Sequence, residues 1–174
     1  MKMDLSFEKC TLKNLVKLVE ISKSTFINAF EKDNNPEDFN NYINSALSKG
    51  AIKVELINPK STFYFAYFKN ELIGYFKLNE KEAQTEQYSQ ETIELERIYV
   101  LNQFQGQQLG KHILLEIINI VRAKQVSFLW LGVWEKNTAA IRFYKRYGFK
   151  KFDTHFYYIG TDKQTDWLMK LDFI

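Results

Sequence analysis

Little in this sequence is suited to covalent or metal chemistry. One cysteine, Cys10, stands among 174 residues, so no intrachain disulfide can form and a reducing compartment suits the chain. Cys10 closes the first strand-like run, where a small buried filler is expected rather than a nucleophile. His112 and His155 are the two histidines, too few and too isolated for a metal site. His112 falls inside a helical stretch and reads as a surface or cofactor-edge residue. No apolar run approaches the roughly 20 residues of a membrane span. Met1-Lys2-Met3-Asp4 leads straight into a short strand, without the apolar core of a signal peptide. The net charge is +3, with acids and bases interleaved, so the basic stripe of a nucleic-acid binder is missing. Internal repeats, low-complexity runs and linkers are absent too, which points to one domain over 1–174. Together these absences describe a cytoplasmic protein without a metal, a membrane or a nucleic acid as partner.

What is present fits a packed α/β domain. At 45% hydrophobic and 26% charged, the chain has enough apolar content for a core without staples. Fifteen Phe and ten Tyr suit a sheet-rich core and an aromatic-lined cleft. Strands are expected at 5–10, 61–68, 72–78, 92–100, 128–134, 151–158 and 164–173. Thr11 caps a helix with apolar positions Leu12, Leu15, Val16, Leu18 and Val19, continuing less regularly to Phe30. Pro36, after the Asp33-Asn34-Asn35 turn, opens a second helix bearing Phe39, Tyr42, Ile43 and Leu47. A short helical piece is expected at 51–57, a long helix at 107–124 and another at 137–147. The polar stretch 80–90 reads as an exposed loop.

The chain is organised around Leu95-Glu96-Arg97-Ile98-Tyr99-Val100, which runs into Gln105-Gly106-Gln107-Gln108-Leu109-Gly110-Lys111. A strand feeding a glycine loop that opens a helix presents unpaired N–H groups at the helix's positive end, which favours phosphate. The loop is neither the Gly-Lys-Ser/Thr phosphate loop nor the Gly-x-Gly-x-x-Gly dinucleotide fingerprint. A second motif stands at Asn137-Thr138-Ala139-Ala140-Ile141-Arg142-Phe143-Tyr144-Lys145-Arg146-Tyr147-Gly148-Phe149. Ala140 and Tyr144 share a helix face with Asn137 one turn earlier, and Gly148 supplies a left-handed exit.

The first motif resembles the Gln/Arg-x-x-Gly-x-Gly/Ala pyrophosphate loop of the Gcn5-related N-acetyltransferases (GNAT), with Gln108 where that pattern prefers glycine. The second matches the same family's Asn-x-x-Ala-x-x-x-Tyr-x-x-x-Gly-Phe. The resemblance implies an α/β (α+β) GNAT fold: a mixed, mostly antiparallel central sheet of about seven strands flanked by helices. That sheet splays at the strand pair that holds acetyl-coenzyme A. It implies that backbone groups of Ile98, Tyr99 and Val100 meet the pantetheine arm, that residues 105–111 (Gln105, Gly106, Gln107, Gln108, Leu109, Gly110, Lys111) hold the pyrophosphate, and that Asn137 contacts pantetheine. Lys111, Arg142, Lys145 and Arg146 are candidates for the ribose phosphate, or simply solvated helix faces.

The implied chemistry is direct transfer of an acetyl group to an amine, which must shed a proton to attack. Period-two alternation along the strand puts Glu94, Glu96, Ile98 and Val100 on one side. Glu96 and then Glu94 are the candidate bases, the alternative being an ion pair with Arg97 or a lysine on a neighbouring strand. The resemblance gives Tyr144 to the departing thiolate as its acid. Further stretches, Trp130-Leu131-Gly132-Val133-Trp134-Glu135-Lys136-Asn137 and Gly160-Thr161-Asp162-Lys163-Gln164-Thr165-Asp166 among them, resemble bacterial spermidine/spermine acetyltransferases of the PaiA type. A polyamine acceptor needs spaced carboxylates and aromatic faces. Glu31, Glu37, Trp134 and Glu135 are the candidates, although acids at 31–38 also suit a helix N-terminus. A lysine or N-terminal protein acetyltransferase and a non-catalytic acyl-coenzyme A regulator are the other readings. A homodimer through the last strands is common in this fold.

Overall fold

The computed structural model describes residues 4–173. Met1-Lys2-Met3, on which the expectation of no signal peptide partly falls, lie outside the described residues. Seven strands form one sheet in the order β1-β2-β3-β4-β5-β7-β6. They are β1 (Leu5–Lys9), β2 (Ser61–Phe68), β3 (Glu71–Glu80), β4 (Thr92–Val100), β5 (Phe128–Trp134), β6 (Lys150–Ile159) and β7 (Asp162–Asp172). All neighbours pair antiparallel except β4 and β5. A parallel pair needs a crossover, and here the helix α4 (Leu109–Arg122) supplies it.

Helices cover both faces because their apolar positions recur at helical spacing. Ile113, Leu114, Ile117 and Val121 of α4 are fully buried and pack on Ile93, Leu95, Leu129 and Leu131. Ile141 and Tyr144 of α5 (Thr138–Arg146) join this layer. On the other face, Leu18 and Ile21 of α1 (Leu15–Phe30) and Ile52 of α3 (Lys49–Ile57) meet Phe63, Phe65 and Tyr75. Each such buried side chain contributes about 1.5–3 kcal/mol relative to exposure. Between α1 and α3 runs α2 (Pro36–Ala46), whose N-cap Asn35 accepts from the Glu37 and Asp38 N–H groups.

The pairing of β3 with β4 has two irregularities. A Cβ on Gly74 would stand 2.2 Å from the Tyr99 carbonyl oxygen, so only glycine lets the strands approach there. Further along, Lys77 pairs with Arg97 but Leu78 with Leu95, leaving Glu96 as the extra residue of a β-bulge. The bulge breaks the alternation expected from the sequence. Ile98 and Val100 share the α4-side core with Ile93 and Leu95. Glu94 and Glu96 instead lie on the opposite face, both accepting from Asn79 Nδ2 (3.1 and 2.5 Å).

The 80–90 stretch is not simply an exposed loop. It folds back onto the sheet, with Gln84 buried and accepting from Trp130 Nε1 (2.8 Å) and Thr92 Oγ1 (2.9 Å). Tyr88 packs edge-on against Phe128 and Trp130.

Candidate active site

The parallel pair is short. β4 meets β5 only at Thr92, Ile93 and Glu94, opposite Phe128, Leu129 and Trp130. Beyond them the strands part, so backbone groups of residues 96–100 and 131–134 have no ladder partner across the gap. A cavity of about 610 Å³ opens there, lined from β4 and β5 and reaching under α1 and α2.

One wall of this cavity is built from the local motifs. Ile98, Tyr99 and Val100 line it from β4, and Asn137 and Tyr144 from the start and middle of α5. Asn137 is the N-cap of α5, its Oδ1 accepting from the Ala140 N–H (3.1 Å). Gly148 (φ 90°) ends that helix, and the Phe149 N–H returns to the Tyr144 carbonyl (3.2 Å). The Tyr144 phenol is buried, and burial raises its pKa, so it stays protonated. Gln105 also reaches the cavity, its amide donating to the Val100 carbonyl (2.9 Å) and to Asn102 (3.1 Å). It thereby ties the end of β4 to the loop.

The rest of the loop lies beyond the cavity edge. Gly106 has φ 75°, and Gln108, the N-cap of α4, has φ 61°. The left-handed region costs a residue with a Cβ about 1–2 kcal/mol, which explains a preference for glycine at position 108. Gln107 is exposed and donates to the Gln103 carbonyl (3.0 Å), and Leu109 is a core residue. Gly110 and Lys111 lie in the first turn of α4, where the Lys111 N–H donates to the Gln108 carbonyl (3.2 Å). Arg146 is exposed in the last turn of α5.

The other wall is polar and assembled from distant segments. Glu96 is bonded to Lys77 and Asn79 and lies 3.1 Å from Arg97. Arg97 also grips Glu55 of α3 with both nitrogens (2.8 and 2.9 Å), and Lys77 is 3.0 Å from the same carboxylate. Burial works to raise the Glu96 carboxyl, but Arg97 and Lys77 outweigh it and hold it below its ordinary value. Glu94 is buried and accepts from the Thr85 N–H (2.8 Å) and Thr85 Oγ1 (2.6 Å) as well as Asn79. Its partners are all neutral, and burial pushes its pKa up despite these bonds. The ion pair foreseen for one of the two glutamates thus belongs to Glu96.

Trp134 lines the cavity, edge-on to Phe30 of α1 (6.5 Å between ring centres). Glu135 does not; with Asp33, Lys136 and Lys163 it borders a separate cleft of about 160 Å³. Glu31 and Glu37 are exposed at the ends of α1 and α2 and line neither space. Asn34, from the same segment, faces the cavity instead. Sequence reasoning did not anticipate Thr85, Asn79, His155 or Asp166. Of these, Thr85, His155 and Asp166 line the cavity, and His155 Nδ1 lies 2.7 Å from Glu86. Cys10 is buried with its thiol pushed up to about 12, and it is no nucleophile.

The sheet splits at its parallel pair, with a tyrosine on one side and carboxylates on the other, as the acetyltransferase resemblance implies. The chain belongs to the Acetyltransferase (GNAT) family, whose model matches residues 15–149. It is 38% identical over 158 residues to an uncharacterized N-acetyltransferase of Lactobacillus delbrueckii subsp. lactis, covering 91% of each chain. The spermidine N(1)-acetyltransferase of Thermoplasma acidophilum is 24% identical, over 87% of this chain and 92% of its own. The fold matches the crystal structure of the PaiA N-acetyltransferase of that organism in complex with coenzyme A. The TM-score is 0.77 at 23% identity, over 98% of this chain and 100% of the other. The protein is therefore an N-acetyltransferase. Among the described residues, no helix is long and apolar enough to cross a membrane.

Proposed function

We propose that residues 1–174 act as one acetyltransferase domain that transfers acetyl from acetyl-coenzyme A to a primary amine of a polyamine. The observation that carries this reading is a cavity joining the β4–β5 split to a wall of carboxylates and aromatic rings. The residues suit the cofactor. Strand backbone at 96–99 and 131–134, without a ladder partner across the gap, suits an amide-rich arm, and the N–H groups of 106–110 at the start of α4 suit phosphate. When bound, acetyl-coenzyme A supplies the acetyl thioester. Lys111, Arg142, Lys145 and Arg146 are the candidate cations for its ribose phosphate.

The protein's own groups divide the proton work. Tyr144, kept protonated by burial, is the acid for the departing thiolate. Glu94 is the better proton acceptor, because Lys77 and Arg97 keep Glu96 a weak base while burial lifts Glu94. A cationic chain is drawn by these acids and by Trp134 and Tyr42. The relative of Thermoplasma acidophilum, named for spermidine, supports the same acceptor class.

The test is coenzyme A release from acetyl-coenzyme A with spermidine, spermine, a lysine peptide or no acceptor. Turnover is expected with the polyamines, and Tyr144→Phe should lower kcat about 100-fold while leaving acetyl-coenzyme A binding intact. Turnover with the peptide alone would remove the polyamine assignment, and binding without any turnover would remove catalysis.

A further inference from the structure

Three carboxylates, those of Glu94, Glu96 and Asp166, line the cavity, and two of them are already engaged. Glu94 is held by Thr85 and Asn79, and Glu96 by Lys77, Asn79 and Arg97. Asp166 of β7 differs from both. Its Oδ1 is buried and, among the described residues, receives no hydrogen bond. Its Oδ2 lies across β5, where a Cβ on Gly132 would approach it to 3.2 Å. The missing side chain at position 132 is what makes room for the carboxylate. Asp166 pairs with Trp134 on one side and with His155 on the other, so all three share one face of the sheet. That face is the one bearing Trp130 and Leu168, across the sheet from the core containing Tyr144.

A carboxylate oxygen withdrawn from water and left unpaired, as Oδ1 is in this half-buried residue, is costly, and a cation offsets that cost. We propose that the Asp166 carboxylate receives an ammonium group of the acceptor amine as an ion pair, an assignment that rests on the acetyltransferase reading above. A primary ammonium offers three donors to the unfilled lone pairs. Tyr42, Tyr157 and Trp134 bring aromatic faces to the same cavity. Burial lifts the Asp166 carboxyl to about 6, His155 draws it down and Glu135 pushes it up, so it is largely ionised at neutral pH. His155, its neighbour on β6, is itself engaged with Glu86. Asp166 thus enters the resting site charged and unfilled.

Calorimetric titration of spermidine into the coenzyme A-saturated protein tests this. Asp166→Asn keeps the shape, removes the charge, and should weaken spermidine at least about tenfold while coenzyme A affinity is retained. If Asp166→Asn fails to hold coenzyme A, Gly132→Ala, whose Cβ crowds the carboxylate at 3.2 Å without removing it, should weaken spermidine in the same direction. Equal spermidine affinity in wild type and variant overturns the assignment, as does a wild type that does not bind spermidine. Coenzyme A release separates the two readings. Amine turnover with an unchanged KM in Asp166→Asn defeats this inference alone, whereas Asp166-dependent spermidine binding without turnover defeats the reading of acetyl transfer to a polyamine alone.

Discussion

The two walls of the cavity are built in opposite ways. The wall of β4, the 105–111 loop and α5 comes from segments whose spacing repeats a local geometry: strand, turn, helix start and helix cap. Beside the side chains of Gln105, Asn137 and Tyr144, its polar atoms are backbone N–H and C=O groups left over where β4 and β5 part. The facing wall draws Glu55 from α3, Lys77 and Asn79 from β3, Thr85 from a loop and Asp166 from β7, and works through side-chain charge. Backbone sites tolerate many side chains, while charged networks depend on each member. Apart from Tyr144, the first wall should therefore survive substitution, and the second should not.

Breaking the charged wall has the largest expected effect on stability. Lys77 is buried between Glu55 and Glu96, so Lys77→Ala leaves two carboxylates sharing Arg97 alone. A loss of about 3–5 kcal/mol is expected in urea unfolding, far more than an exposed lysine would cost. A smaller effect comes from Asp166. Its folded carboxyl, near 6, lies above the ordinary value of 3.8, so the native state holds this proton more tightly than the unfolded chain. The stabilisation it gives is complete at low pH and disappears as pH rises through 6. Asp166→Asn should therefore gain on wild type by about 2 kcal/mol between pH 4 and pH 7 in thermal melts.

Catalysis sharpens the same contrast. Glu94→Gln should lower kcat about tenfold and erase the acid limb of the pH–rate profile, whereas Glu96→Gln should leave that limb in place. Equal loss of the limb in both variants would mean that the lysine and arginine do not set the order of the two acids. The smallest effect belongs to the backbone wall. Gln108→Gly relieves a left-handed residue at the cost of unfolded-chain entropy, so a gain of less than about 1 kcal/mol is expected, with activity kept.

This contrast also explains what could be read from the sequence. β4 and β5 have the bounds that β-branched and aromatic content gave them, Asn137 caps α5, and Gly148 ends it. The Glu96 bulge had no such signal, because no glycine or proline marks it, and a one-residue shift reverses every side chain after it. Tyr88 was the clue that the 80–90 loop packs on the sheet, being an aromatic ring among polar residues. Asp166 was invisible for a different reason: its character comes from Gly132 and His155 on neighbouring strands, and alternation alone cannot supply that context.

A crystal structure of the protein with coenzyme A and spermidine tests the two-wall account most directly. The account predicts the pantetheine arm between residues 96–100 and 131–134, the pyrophosphate on the 105–111 loop, and spermidine on the opposite face with an ammonium at Asp166. Coenzyme A bound outside the β4–β5 split, or spermidine bound outside the cavity, would contradict it.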